Sequence, residues 1–186
     1  MDAKTLRRNC FALAALAAFA GCSSTSEEEM PPSVAIRLEE TSVQEAKNRM
    51  VLKRLLGRED LSLGRMMARS VEEELEADGI TARSPAVASR GTRDEAFTAL
   101  RGDGGERGLF VIHMGTWDLE AISTSGKATV DYEFLLFDAN GREIWTEGVS
   151  RRTVTLRTGE QRDIEAFIRR LAVESLRSRP LRTRPP

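Results

Sequence analysis

Apolar residues recur at helical spacing in four segments beyond residue 34, which predicts four helices. The first begins at Val43 and ends at Gly57, and we expect one side of it to be buried through Val43, Ala46, Met50, Val51 and Leu55. The second covers residues 63–79 and has the more regular apolar side. A capping box at residues 92–95, Thr-Arg-Asp-Glu, begins a short third helix, and a fourth over residues 164–176 ends before Pro180.

Strand patterns occur between these helices. Two short strands are predicted at residues 34–38 and 80–83, and three longer ones at residues 108–117, 127–137 and 142–156. In the second long strand we expect one face toward the core, formed by Val130, Tyr132, Phe134 and Leu136. Residues 138–141, Asp-Ala-Asn-Gly, favour a hairpin turn because Asn and Gly tolerate positive φ angles.

The order of these elements is β-α-α-β-α-β-β-β-α. It predicts a single α+β domain over residues 34–178, in which an antiparallel meander of three or more strands belongs to a mixed sheet. The helices are expected to pack on one face of that sheet.

The first 22 residues follow a different pattern. Three basic residues precede an apolar run at residues 10–20, about half the ~20 residues that a membrane-spanning helix needs, which is typical of a signal peptide. The run ends in Phe19-Ala20-Gly21-Cys22, which resembles the lipobox of bacterial lipoproteins. This resemblance implies a signal peptide over residues 1–21 and lipid attachment at Cys22, which becomes the mature N-terminus. An ordinary secretory signal is the alternative.

The positions of the cysteines narrow the chemistry of the mature chain. The sequence has 186 residues and two cysteines, Cys10 and Cys22. Cleavage before Cys22 removes the first and commits the second to the anchor, so we expect no disulfide, no cysteine-rich zinc site and no thiol catalysis. Ser23 resembles the residue that follows the lipidated cysteine in outer-membrane lipoproteins. It implies a domain that is lipid-anchored in the outer membrane and faces the periplasm.

The two ends of the mature chain are polar and differ in charge. Residues 22–33, with Glu27-Glu28-Glu29 and two prolines, predict a lipidated flexible tether. Residues 151–186 hold ten arginines against four acidic residues, although the whole chain has a net charge of -1. Residues 179–186 are predicted to be a basic disordered tail, which either binds an anionic lipid or polymer or, as we favour, is simply solvated. The near-neutral total charge gives no indication of nucleic-acid binding.

Candidate catalytic chemistry centres on His113, the only histidine. A hydrolase would need a carboxylate partner such as Asp118 or Glu120, whereas a single histidine on an apolar strand is more often structural. Asp131 and Glu133 share one strand face, which the alternation places toward solvent. The chain contains neither an HxH nor an HExxH spacing. We therefore expect no catalytic site, no metal and no cofactor.

The two tryptophans allow two interpretations. Trp117 and Trp145 lie in or beside strands, where they act either as buried ring anchors, as we favour, or as an exposed pair that binds a glycan or a partner. Met66 and Met67 on the second helix are expected to pack in the core.

A strand that ends in an aromatic residue, at residues 108–117, is followed by a distinctive hairpin. Its sequence has the form Leu-x-Asp-x-x-Gly-x-x-x-Trp between Leu136 and Trp145. This pattern resembles peptidoglycan-associated lipoproteins and the α/β group around the curli secretion lipoprotein, the TolB amino-terminal domain and the lipoprotein activators of penicillin-binding proteins. The resemblance implies a domain that binds other envelope proteins and has no catalytic site.

These observations predict a non-catalytic, membrane-anchored lipoprotein that serves as an accessory or assembly subunit of a cell-envelope complex for secretion, transport or cell-wall synthesis. It would act through contacts with envelope proteins or with copies of itself. The alternative is an auxiliary lipoprotein that binds an amphipathic lipid or lipopolysaccharide for envelope transport. An apolar cleft between sheet and helices would favour that alternative, and a solid core would count against it. A hydrolase that works through His113 is the third hypothesis.

Overall fold

The described part of the chain forms a sheet with helices on both sides. The computed structural model describes residues 30–58, 60–83, 92–102 and 107–180. The predicted signal peptide, Cys22, most of the predicted tether and residues 181–186 of the predicted tail lie outside these ranges. The elements in chain order are β1 (Ser33–Glu39), α1 (Ser42–Leu56), α2 (Leu63–Ala77), β2 (Thr81–Arg83), α3 (Arg93–Gly102), β3 (Arg107–Met114), α4 (Ile122–Ser125), β4 (Lys127–Phe137), β5 (Glu143–Thr155) and α5 (Ile164–Leu176).

The five strands form one mixed sheet in the order β2-β1-β3-β4-β5. β1 is parallel to β2 and β3, while β4 is antiparallel to β3 and β5. The meander β3-β4-β5 confirms the predicted α+β class and its antiparallel meander in a mixed sheet. Asp138 shapes the hairpin between β4 and β5, because its Oδ1 accepts the backbone N–H groups of Asn140 and Arg142, and Gly141 has a φ of 85°.

The main core lies between one face of the sheet and helices α2 and α5. Alternate residues of β4 face it as predicted, and Phe110, Phe134 and Phe167 within it are fully buried. Side chains from β1, β3 and the two helices complete the same cluster. Burial of this apolar surface is the principal source of the stability of the domain.

A smaller apolar layer covers part of the opposite face. Leu109, Val111, Leu135 and Phe137 form it, and α3 packs against it. The rings of Phe97 and Phe137 meet edge to face with centroids 5.7 Å apart. Helix α3 thus adds a layer to the face opposite α2 and α5. The rest of this opposite face carries polar side chains, and we call it the open face.

The buried side of helix α1 differs from the sequence prediction. Thr41 and Gln44 form a capping box at its start, and Gly57 in the left-handed region ends it as predicted. However, Val43 is 61% and Met50 63% exposed, so the predicted buried side is wrong at these positions. The side of α1 that faces the protein carries Leu52 and a polar residue, Asn48, which apolar periodicity does not detect.

The connection between β3 and β4 also differs from the prediction. The strand predicted to reach Trp117 ends at Met114, and the one-turn helix α4 was not predicted. Asp118 nevertheless pairs with Thr129 in an isolated antiparallel bridge, so this connection stays close to the edge of β4.

Candidate functional site

Three charged residues form an ionic cluster on the open face: Arg37, Glu39 and Arg93. Arg37 Nε donates to Glu39 Oε1 at 2.9 Å, and Arg93 donates to both carboxylate oxygens, at 3.0 and 2.8 Å. The hydrogen bond from Arg93 is the main cause that lowers the pKa of Glu39 to about 2, with Arg37 adding to it. Because Arg93 is the first residue of α3, the cluster fixes the start of that helix on the sheet.

The register of the sheet places His113 beside this cluster. Glu39 on β1, His113 on β3 and Glu133 on β4 lie in one row across three strands. His113 Nδ1 is 3.8 Å from Glu39 Oε2, and its side chain is 49% exposed. His113 therefore faces solvent on the open face and is not a packed core residue.

The carboxylates proposed as partners of His113 lie elsewhere. Asp118 Oδ1 accepts the backbone N–H of Glu120 at 3.0 Å, and Glu120 pairs with Arg54 at 2.5 Å. The carboxylate beside His113 is Glu39, whose two oxygens already accept guanidinium donors. The structure thus does not form the pair of His113 with Asp118 or Glu120 that the hydrolase hypothesis requires.

Asp131 and Glu133 lie on the open face of β4, as the alternation predicts. Glu133 is exposed and Asp131 partly exposed. Two glycines on neighbouring segments lie against them: a Cβ at position 115 would come within 2.4 Å of Asp131, and one at position 148 within 3.4 Å of Glu133. The absence of a side chain at these two glycines leaves room for Asp131 and Glu133.

The two tryptophans have different environments. Trp117 is 2% exposed, donates its indole N–H to the carbonyl of Asp131 at 2.8 Å and packs against Tyr132 and Phe167. Trp145 is partly buried against Phe110, with ring centroids 6.1 Å apart. Both anchor the core side of the sheet, so they do not form an exposed pair.

Asn48 is a buried residue that sequence reasoning did not single out. It is 1% exposed, donates to Glu40 Oε1 at 2.8 Å and accepts the backbone N–H of Trp117 at 3.2 Å. Burial raises the pKa of Glu40, while the hydrogen bond from Asn48 opposes this shift. Asn48 therefore joins α1 to the connection that follows β3. A single asparagine in a helix gives no sequence signal for such a role.

Strand β5 forms one edge of the sheet and has an irregular register. Val130 pairs with Arg152 but Tyr132 pairs with Val149, so two residues of β5 oppose Asp131 in a β-bulge. Arg151, inside the bulge, has a φ of 45°. The edge beyond β5 has no further strand within the described ranges. Such an edge presents unpaired backbone groups to a neighbouring chain.

A groove of about 330 Å³ runs between β5 and α5. Val130, Val149 and Leu171 line it together with polar and charged residues of both elements, and more of its surface is polar than apolar. Tyr132 also lines the groove, and its hydroxyl is 2.9 Å from Ser175 Oγ. Burial raises the pKa of the Tyr132 hydroxyl. We call the β5 edge together with this groove the β5 surface.

Arg170 on α5 forms the most enclosed ion pair beside this groove. Its guanidinium donates to both oxygens of Glu160 at 2.7 and 2.9 Å, and the two side chains are 12% and 9% exposed. These bonds lower the pKa of Glu160. The pair fixes the connection between β5 and α5 and so holds one end of the groove in place.

The two neighbouring methionines of α2 belong to the core side of that helix. Met67 is fully buried and Met66 packs partly against the core, as expected. Across the described ranges, no three His, Cys, Asp or Glu side chains are grouped so that they could hold a metal ion. Among the helices in those ranges, none combines the length and the apolar character needed to cross a bilayer.

Comparison with known proteins gives a relationship by fold only. No protein-family model and no curated protein matches the chain. The chain is similar to PelC from Paraburkholderia phytofirmans, solved as a dodecamer, with a TM-score of 0.52 and 17% identity over 82% of this chain and 90% of that chain. A dodecamer of a PelC variant gives a TM-score of 0.49 and 19% identity, over 84% of this chain and 93% of that chain. Over most of its described length, this chain shares the fold of a PelC subunit.

Proposed function

We propose that this chain is a lipid-anchored subunit of a cell-envelope assembly that contains several copies of the chain itself. The observation that carries the proposal is the fold shared with a protein solved as a dodecamer, of which the alignment covers 90%. The lipobox-like sequence before Cys22 supports anchoring, and Ser23 supports the outer membrane with the domain in the periplasm. The subunit would act through protein contacts and not through catalysis.

The β5 surface is the part of the domain best suited to contact a neighbouring subunit. It combines strand backbone at a sheet edge with a mainly polar groove that a side chain of a neighbouring chain can enter. Arg151 and Arg152 at the bulge and Glu147 at the rim interrupt the edge with charge. Such charges limit indiscriminate strand pairing and favour a partner with matching geometry.

The arrangement around His113 supports a role without catalysis. A general base needs a carboxylate or carbonyl that accepts the second imidazole N–H and orients the ring. Glu39, the nearest carboxylate, already accepts three hydrogen bonds from Arg37 and Arg93. The ionic cluster instead serves to hold α3 on the sheet.

The transport alternative receives little support. An amphipathic ligand would need an apolar cavity that can enclose most of an acyl chain. In the described residues, α2 and α5 pack directly on the sheet through fully buried rings, including Phe110 and Phe134. The groove beside β5 has charges on its rim and is open to solvent along the sheet edge.

Two measurements test the proposal. The native protein, solubilised from its membrane in mild detergent, should elute as a multimer when its mass is determined by light scattering. Cys22→Ser should shift the protein from the membrane fraction to the soluble fraction or leave it as an unprocessed precursor. A monomer in detergent extract would refute self-assembly, and unchanged fractionation of the Cys22→Ser chain would refute the anchor.

The role of the β5 surface has its own test. Val149→Lys places a cation in the groove beside Arg152 and should reduce the multimer to smaller species. Val43→Lys on α1 is the matched control, since Val43 is 61% exposed and does not line the groove. The control should keep the mass of the wild type. A multimer that survives Val149→Lys, with both variants equally folded by circular dichroism, would exclude the β5 surface as the contact.

A further inference from the structure

The two strands at the edges of the sheet run in the same direction. β1 is parallel to both β2 and β3, and β4 is antiparallel to both β3 and β5. β5 is therefore parallel to β2, although the two lie at opposite edges of the sheet. Within the described ranges neither edge strand has a further strand on its outer side. A second copy in the same orientation can thus bring its β2 beside β5 of the first copy, where the two strands would pair in parallel.

One row of paired residues crosses all five strands at the level of β2. The register gives this row, from one edge to the other, as Arg83, Ala35, Leu109, Phe137 and Glu143. It begins with a cation on β2 and ends with a carboxylate on β5, and both of these edge residues are exposed. A copy that joins the edge at the same height continues the row, so that its Arg83 lies opposite Glu143.

Arg83 and Glu143 also lie on the same side of the sheet. Their row passes through Phe137, which belongs to the apolar layer beneath α3. The pKa of Arg93, the first residue of α3, is raised chiefly by its hydrogen bonds with Glu39, and the charge of Glu143 contributes to this shift. Glu143 is therefore directed to the side of the sheet that carries α3. In a joined sheet, the guanidinium of one copy and the carboxylate of the other would meet on that side.

The helices beside the two edges carry a second pair of opposite charges. Helix α2 packs on β2 and has the exposed Glu76 in its last turn, whereas α5 packs on β5 and is followed by the exposed Arg177. Both helices end at the same end of the sheet, because Asp78 after α2 contacts Arg179 after α5. Joining two copies edge to edge would bring these opposite charges toward each other and favour this pairing over a contact between like edges.

We propose that the edge formed by Thr81–Arg83, which we call the β2 edge, is the surface of a neighbouring copy that pairs with β5, and that Arg83 of one copy binds Glu143 of the next. The inference rests on the self-assembly of the proposed function and names the part of the neighbour that meets the β5 surface. Because every copy has both edges, the contact is head to tail and repeats from copy to copy. Since both edge strands run in one direction, copies anchored in one membrane make this contact without inversion.

A pair of cysteines tests the contact directly. The mature sequence contains only the cysteine of the proposed anchor, so Arg83→Cys together with Glu143→Cys adds the two thiols under test. Within one copy, four strand spacings separate these positions by about 19 Å, whereas a disulfide needs Cα atoms about 4–7 Å apart. Any disulfide between them must therefore join two copies. The full-length protein in isolated membranes is treated with copper phenanthroline and oxygen, which take up the electrons of the two thiols, and is analysed on a non-reducing gel.

We expect this variant to give a ladder of dimers, trimers and larger species. Arg83→Cys with Thr155→Cys is the matched control, because Thr155 is exposed at the other end of β5, about 40 Å from position 143. The control pair should give no ladder. An equal ladder from both pairs would overturn the inference. Dimers from Arg83→Cys alone would also overturn it, because two β2 edges would then face each other.

Exchanging the charges tests the ion pair itself. Either Arg83→Glu or Glu143→Arg should raise the protein concentration at which half of the detergent-solubilised multimer dissociates about fivefold. The double variant Arg83→Glu with Glu143→Arg should return to the wild-type value, and circular dichroism checks that all three variants are equally folded. A double variant that dissociates as readily as the single ones would overturn the ion pair. A monomeric wild type would overturn the proposed function and this inference together, whereas a wild-type multimer without the disulfide ladder would overturn this inference alone.

Discussion

Asn48 offers a quantitative test of how α1 is attached to the domain. Most of the outer surface of this helix is exposed, and Asn48 and Leu52 are its only fully buried side chains within the described residues. The substitution Asn48→Leu keeps the volume similar but removes a donor to Glu40 and an acceptor for the N–H of Trp117. We expect the folded state to lose stability even though the new side chain is more hydrophobic.

The magnitude follows from the partners that lose their hydrogen bonds. A hydrogen bond to a charged carboxylate contributes about 1.5–3 kcal/mol, and a buried N–H without a partner costs about 1–3 kcal/mol. Burial of the more hydrophobic leucine side chain offsets about 1 kcal/mol of this loss of stability. The net loss of unfolding free energy for Asn48→Leu is therefore about 3 kcal/mol at neutral pH.

The pH dependence of this loss has a defined sign. Burial raises the pKa of Glu40 above 4.5 in the folded state, so its ionised form destabilises the fold and stability falls as pH rises through that range. The hydrogen bond from Asn48 partly compensates for the buried charge. Without Asn48 the ionised form costs more, so the destabilisation by Asn48→Leu should be largest at pH 7 and smaller below pH 4.5.

Equilibrium unfolding in urea at pH 7 and pH 4 measures both quantities. Lys47→Leu, at the exposed neighbouring position, is the control and should change stability by less than about 0.5 kcal/mol. A loss below about 1 kcal/mol for Asn48→Leu, or a loss that grows at low pH, would show that the Asn48 contacts do not hold α1.

Three further substitutions test other parts of the structure. Glu39→Gln should lower the free energy of unfolding by about 2 kcal/mol at pH 7. Because the pKa of Glu39 in the folded protein is about 2, the difference in stability between wild type and variant should vanish as pH falls from 4.5 toward 2 in acid-unfolding experiments. Gly108→Ala places a Cβ 2.7 Å from both the carbonyl of Phe137 and the ring of Pro31, and should lower stability by about 2 kcal/mol in thermal unfolding. Arg151→Gly should raise stability by up to about 1 kcal/mol, because the φ of 45° no longer strains a side chain; a loss would show that the Arg151 side chain makes a stabilising contact.

Much of the fold was predictable because local patterns and tertiary structure agree. The alternation in β4, the hairpin at residues 138–141 and the regular apolar side of α2 all appear where predicted. The capping box at the start of α3 is also confirmed, since Thr92 and Glu95 exchange hydrogen bonds between side chain and backbone. These features depend on neighbours a few residues away, which a sequence contains directly.

The sequence predictions were wrong or incomplete where residues far apart in the sequence determine whether a side chain is buried. Val43 and Met50 are apolar but exposed, because α1 docks through Asn48, whose partner Trp117 lies 69 positions away. Leu135 and Phe137 are buried on the second face because α3 covers them, and alternation alone assigns that face to solvent. The ionic cluster escaped prediction for the same reason, since Arg93 and Glu39 meet only in the folded chain.

The proposed lipid anchor restricts how subunits can meet. An anchor at Cys22 would place the end of the sheet at which β1 begins toward the bilayer, and β1, β3 and β5 all run away from that end. Copies anchored in one membrane then approach each other sideways, along the edges and faces of the sheet and not along its strands. The β5 surface lies on such a side, so anchoring makes it available to a neighbour at high local concentration, and modest contacts suffice for assembly. It follows that Cys22→Ser should weaken self-assembly as well as membrane retention, whereas Val149→Lys should weaken assembly alone.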